Sequence, residues 1–205
     1  IHTVGSILGK YDNDKQFPVY GFGGKVKHLP DQPDYCFPLT LDEQHPSVNG
    51  IDGVLTIYRQ AIPNITLCEP TLLTPIIRKA IDMAIRNYKS HIYTILFIIT
   101  DGIINDMRDA IDAIVDGSEV GLSIIILGVG DQSFDGMEDL DVSEDEPLVS
   151  SSGKKMSRDI VQFVPFIKFV GGGVALEREV FLKIPRQIQQ FCHKNGFEHL
   201  TYMGF

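Results

Sequence analysis

Two uninterrupted apolar runs, HIYTILFIIT at residues 91–100 and LSIIILGV at residues 122–129, constrain this chain more than any other feature. A strand with one wet face alternates apolar and polar residues, so a strand that is apolar at every position must be covered on both faces. Segments with helical spacing surround the two runs. Leu72, Leu73, Ile76, Ile77, Ala80, Ile81, Ala84 and Ile85 mark one such face, and a shorter amphipathic stretch covers residues 107–115. Strand, helix and strand in this order predict an α/β domain with a mostly parallel sheet flanked by helices. Neither run approaches the roughly 20 residues that a bilayer-crossing helix needs. No basic-then-apolar start marks a signal peptide.

The remaining segments fit the same rhythm. Ile1, Val4, Ile7 and Leu8 recur at helical spacing before Gly9, so the chain is expected to open within a helix and not a strand. Residues 17–22 (FPVYGF) read as a strand, and residues 25–46 as a Pro-rich hairpin or surface loop. Ile51, Val54, Leu55, Tyr58 and Ile62 form a helix face closed by Pro63. Residues 160–169 read as a last strand-like segment, and residues 174–191 as a terminal helix restarted at Pro185. With 205 residues, 43% of them apolar, one domain with a sizeable core is expected.

The net charge of −9 is local. Eight of the sixteen residues from 131 to 146 are acidic and none is basic; elsewhere 19 acidic residues face 18 basic ones. That balance argues against binding a phosphate backbone, and the acidic window reads as a solvated loop. Cys36, Cys68 and Cys192 are odd in number and far apart, which fits a reducing, intracellular compartment. Gly128-Val129-Gly130 has Ser133 where a dinucleotide fingerprint needs glycine. Asp131 opens like a calcium loop, but Val142 stands where the bidentate Glu belongs. Residues 150–155 (SSSGKK) lack phosphate-loop spacing and read as a flexible, phosphorylatable loop. The six histidines show no ligand spacing.

Ligands of open parallel sheets bind beyond the carboxyl ends of the strands. Asp101 follows the most buried strand directly, and Thr71 sits between the Glu69-Pro70 turn and the long helix. A carboxylate and a hydroxyl at that rim are hard oxygen ligands suited to Mg²⁺. The same residues suit structural work equally: Thr71 as a helix cap and Asp101 as a turn former with Gly102. A small hydrolase or phosphatase using Asp101 is a further reading of the rim.

A family resemblance follows from longer motifs. YDNDKQFP at residues 11–18, GFG at 21–23, GIDGV at 50–54, Pro70-Thr71, IITDG at 98–102, SIII at 123–126 and above all RDIVQFVPF at 158–166 together resemble the copines. The similarity covers residues 1–197, as a copine-type von Willebrand factor A domain, with residues 198–205 left as a C-terminal tail. It implies a Rossmann-like A domain that binds proteins and is not an enzyme. It also implies an intracellular, cytoplasmic protein recruited to the plasma membrane by calcium. In that family two C2 domains, absent from these residues, supply calcium-dependent phospholipid binding, so Ca²⁺ and membrane contact are expected only through them. The A domain recruits intracellular target proteins; no nucleic acid or small-molecule substrate is implied.

The resemblance further implies a metal-ion-dependent adhesion site, for which Thr71 and Asp101 match two of the family positions. The D-x-[ST]-x-S motif of the first strand does not occur in this sequence, and Glu69 replaces the Gly usual before Pro-Thr. An A domain lacking its first strand, with an incomplete Mg²⁺ site, is therefore expected. Because plant RING-finger proteins carry a closely similar domain, the substrate-recruiting part of a ubiquitin ligase is the alternative. The ligase itself is not, since residues beyond Phe191 offer only Cys192, His193 and His199 as zinc ligands.

Overall fold

A computed structural model describes residues 5, 9, 12, 14–27, 34–143, 145–169, 173–197 and 201–204; side chains of residue 135 and of residues 201–204 are left undescribed. The expected opening helix falls mainly outside these residues. The central sheet has the order β10-β7-β8-β9, with β7 at Ile92–Thr100, β8 at Leu122–Gly128, β9 at Val161–Pro165 and β10 at Thr201–Gly204. All its pairings are parallel. Both apolar runs are thus neighbouring strands, in register from Thr94 opposite Leu122 to Thr100 opposite Gly128. The last short strand lies in the segment read as a tail and pairs with Ile92–Ile95 on the other side of β7.

Helices cover both faces. Helices α1 (Gly50–Ala61), α2 (Thr74–Asn87), α3 (Met107–Gly117) and the single turn α4 (Asp135–Glu138) are followed by α5 (Val174–Val180) and α6 (Ile184–Asn195). Leu96, Ile98, Ile124, Ile126 and Phe163 pack with Ile77, Ala80 and Ile114 of α2 and α3. Their strand neighbours Tyr93, Ile95, Ile125, Leu127 and Val164 point the other way, against Leu176, Val180, Ile188 and Phe191 of α5 and α6. This alternation is why the strands carry no polar face. Ile85 departs from the expected helix face and is 55% exposed, since the buried stripe runs through Ile77, Ala80, Ile81 and Ala84 and leaves it at the edge.

Proline and glycine set the helix limits. Pro75 and Pro185 occupy the first turns of α2 and α6, where a missing N–H costs nothing. Gly196 ends α6 in the left-handed conformation, φ 70°, and lets the Phe197 N–H reach the Cys192 carbonyl. The terminal helical segment is two helices, α5 and α6, separated at Phe181–Lys183.

The N-terminal half differs most from expectation. Residues 17–22 form no single strand: β1 (Gln16–Pro18) and β2 (Tyr20–Gly21) are separated by Val19. β1 pairs antiparallel with β5 (Ser47–Asn49), and β2 with β4 (Phe37–Pro38). A third ribbon joins β3 (Gly24–Val26) to β6 (Ile65–Leu67), which sequence periodicity does not reveal. These ribbons enclose a small core of Val26, Phe37, Leu39 and Ala61, beside a cavity of about 210 Å³. Residues 150–155 form a tight turn in which Asp112 accepts hydrogen bonds from the Ser151 amide and hydroxyl, below the Val149–Lys155 bridge.

Candidate functional site

The carboxyl rim of the sheet is built by loops 68–73, 101–106 and 129–134 and by the turn Phe166–Phe169 after β9. Asp101 is the first residue beyond β7 and is exposed; Thr71 is half-buried on the loop before α2, after a cis Glu69–Pro70 peptide. Among the described residues no hydrogen bond joins Thr71 to Asp101. They are related through Asn105, whose Oδ1 accepts from the Thr71 N–H at 2.7 Å and whose own N–H donates to the Thr71 carbonyl at 2.9 Å. Asp106 completes the connection. Its carboxylate accepts from the Leu73 N–H at 2.9 Å and the Thr74 N–H at 2.8 Å, capping α2 from a loop more than thirty residues away. The Thr71 hydroxyl is thus not the cap of α2, and Leu73 at the N-cap position supplies no side-chain bond.

Thr71 and Asp101 would offer a divalent ion two oxygen ligands, one from each of two loops. One exposed carboxylate and one hydroxyl on separate loops leave most positions around Mg²⁺ to water. Among the described residues no three His, Cys, Asp or Glu side chains gather closely enough to hold a metal.

Two polar networks that spacing did not single out lock the scaffold behind the rim. At the amino end of the sheet Arg158 is buried, with its guanidinium over the rings of Tyr93 and Phe191. It donates to the Tyr93 hydroxyl at 3.1 Å, the Leu122 carbonyl at 2.8 Å and the Val120 carbonyl, while Ser123 Oγ links Tyr93 to Gln187. Burial raises the Tyr93 pKa above its usual range, against the pull of the guanidinium. Its rigid fork of donors reaches β7, β8 and the loop before β8 together.

The second network corrects the reading of the acidic window as solvated throughout. Asp141 lies inside that window, yet its Oδ2 accepts from the Phe163 N–H at 2.7 Å, and its Oδ1 pairs with Lys183. Lys183 also reaches Asp159 at 2.7 Å and the Val142 carbonyl at 2.9 Å, and Asp159 Oδ1 accepts from the Val161 N–H. Burial alone would lower the Lys183 pKa, but the two carboxylates outweigh it and hold it above the usual lysine range. Burial likewise raises Asp159 against the pull of Lys183. The ammonium therefore pins the acidic loop, β9 and the start of α6 together.

A parallel sheet covered by helices on both faces, with an exposed rim of tied loops, defines a three-layer α/β domain, consistent with the von Willebrand factor A type. A sequence model of the copine family matches residues 1–200. The chain is 40% identical over 189 residues to Protein BONZAI 1 of Arabidopsis thaliana, covering 91% of this chain and 32% of that protein. Identity is 41% over 199 residues with Copine-C of Dictyostelium discoideum, covering 96% and 36%, and 39% over 205 residues with Copine-B, covering 98% and 38%. This chain belongs to the copine family. It spans about a third of the length of these curated relatives.

Proposed function

We propose that this chain is the protein-recruiting A domain of a copine, acting without catalysis through the carboxyl rim of its sheet. The observation that carries the reading is the cross-tied rim of a family-matched domain: three hydrogen bonds join loops 68–73 and 101–106, a fourth runs from the Thr74 amide of α2 to Asp106, and the loops carry half-buried Thr71 and exposed Asp101. Fixed loops on a rigid scaffold are the usual carriers of recognition. Calcium-dependent attachment to phospholipid belongs, on this reading, to C2 domains in the rest of a full-length copine, and the A domain brings intracellular targets to that membrane. Among the described residues no helix is long and apolar enough to cross a membrane.

The test compares a full-length protein carrying this domain with one in which an unrelated domain of similar size replaces it. Vesicle binding in calcium is expected to persist in both, and capture of target proteins only in the first. Equal capture by both would refute the reading. Mg²⁺-dependent turnover of a phosphoester, abolished by Asp101→Ala, would refute its non-catalytic part. No step depends on a bound metal. A calorimetric Mg²⁺ titration of this chain is accordingly expected to show millimolar affinity or weaker, and submillimolar binding lost in Asp101→Ala would show that the two oxygens suffice.

A further inference from the structure

We infer that the carboxyl rim docks a basic, apolar peptide segment of a partner protein. This inference rests on the recruiting role proposed above and adds the chemistry of what is recruited. Loops 68–73, 101–106 and 129–134 contain no Lys, Arg or His. Glu69, Asp101 and Asp131 are exposed on them, one on each loop. Asp106, a further acid of these loops, already spends its carboxylate on the amides of α2. The carboxylates left facing solvent give these three loops one sign of charge, while the one cation of the described rim, exposed Lys168, stands apart on the turn after β9.

Two large exposed apolar side chains accompany these loops, Ile103 within loop 101–106 and Leu67 directly before loop 68–73. Leu67, at the end of β6, is 83% exposed, and Ile103, two residues beyond Asp101, is 70% exposed. The paired bonds between Thr71 and Asn105 hold their two loops side by side. Neither side chain serves the core, and each keeps nearly all its transfer free energy in reserve for a contact. A segment that interleaves Lys or Arg with Leu, Ile or Phe satisfies both features at once: cations meet Glu69, Asp101 and Asp131, and apolar side chains cover Leu67 and Ile103. An acidic segment would meet like charge on every loop.

The test selects random peptides of about 12 residues, displayed on phage, against the chain, then measures their binding to variants. Selected sequences are expected to be basic and apolar, and to bind more weakly by about fivefold or more as salt rises from about 50 to about 300 mM. Asp101→Asn and Ile103→Ser are each expected to weaken them roughly 3- to 10-fold. The double variant Asp145→Asn, Glu146→Gln removes more charge, from exposed positions of the acidic loop, and is expected to change binding less than about twofold. Selection of acidic peptides whose binding Asp101→Asn abolishes would overturn the basic partner and leave the recruiting rim standing. Selected peptides indifferent to both rim variants would overturn the rim itself. Equal losses in the rim and acidic-loop variants would reduce the effect to net charge and also overturn the inference.

Discussion

Replacing Lys183 with Met tests whether one ammonium pins the acidic loop to the sheet. The change keeps most of the side-chain stem and removes only the charge and its donors. Side-chain exposure is 28% at Lys183, 17% at Asp141 and 9% at Asp159, so two largely desolvated carboxylates would be left facing each other. Breaking one partner of a fully buried pair costs about 3–5 kcal/mol, and partial exposure of Lys183 brings the expectation to about 2–4 kcal/mol. In a domain of this size that lowers Tm by roughly 5–15 °C.

Urea melts at several pH values check the origin of the loss. Because the folded Lys183 pKa lies above its ordinary value of 10.5, its contribution is complete at neutral pH and disappears as pH rises through the folded value. The gap between variant and parent should therefore close in strong alkali. It should also shrink in acid, where protonation relieves Asp159, whose pKa burial already raises. Adding Asp141→Asn and Asp159→Asn to the variant should recover most of the loss. In the single variant the Phe163 amide, which donates to Asp141, should exchange faster with solvent. A loss below about 0.5 kcal/mol, or one that the two asparagines leave unchanged, would refute the pinning role.

Three other perturbations probe separate parts of the scaffold. Asp106→Ala should cost about 1–2 kcal/mol and expose the Leu73 and Thr74 amides to exchange, whereas Asp106→Asn should retain much of the cap. Arg158→Lys should destabilise by about 2–4 kcal/mol in denaturant melts, since a point ammonium cannot reach Tyr93, Val120 and Leu122 together. Asp12 is buried, and burial, aided by the charge of Asp14, raises its pKa from 3.8 to about 6. A raised carboxylate pKa favours the native state while protonated, so this contribution is present below about pH 4 and lost as pH rises through about 6. Asp12→Asn should hence stabilise the fold by about 1–3 kcal/mol at pH 7 and by almost nothing at pH 4; equal gains at both would refute it.

The parts of this fold legible in the sequence are those where burial imposes composition. Residues of β7 and β8 had to be apolar throughout because helices cover both faces, and α2 and α3 repeat that requirement at helical spacing. Short ribbons escaped because β4 and β6 are two and three residues long, too short for any period to register. Thr71 and Asp101 were located by the general geometry of parallel sheets, and both do stand at the rim. Asn105 and Asp106 were missed because their partners lie 32 to 34 residues upstream, and no local pattern marks a carboxylate that caps a remote helix. Asp141 is one of five aspartates among the eight acids of its window; only the fold brings Lys183 to it. Arg158 opens the RDIVQFVPF motif, but its task depends on a tyrosine 65 residues earlier.

The ties that Asn105 and Asp106 make carry a kinetic consequence. A recognition surface whose loops are already ordered loses little conformational entropy when a partner arrives, and no slow rearrangement has to precede contact. Encounter at the rim should then be a single bimolecular step, hastened by opposite charge and slowed by salt, while substitutions in the apolar contact act on residence time. Loosening either tie should add a unimolecular ordering step, seen as an observed rate that levels off as partner concentration rises.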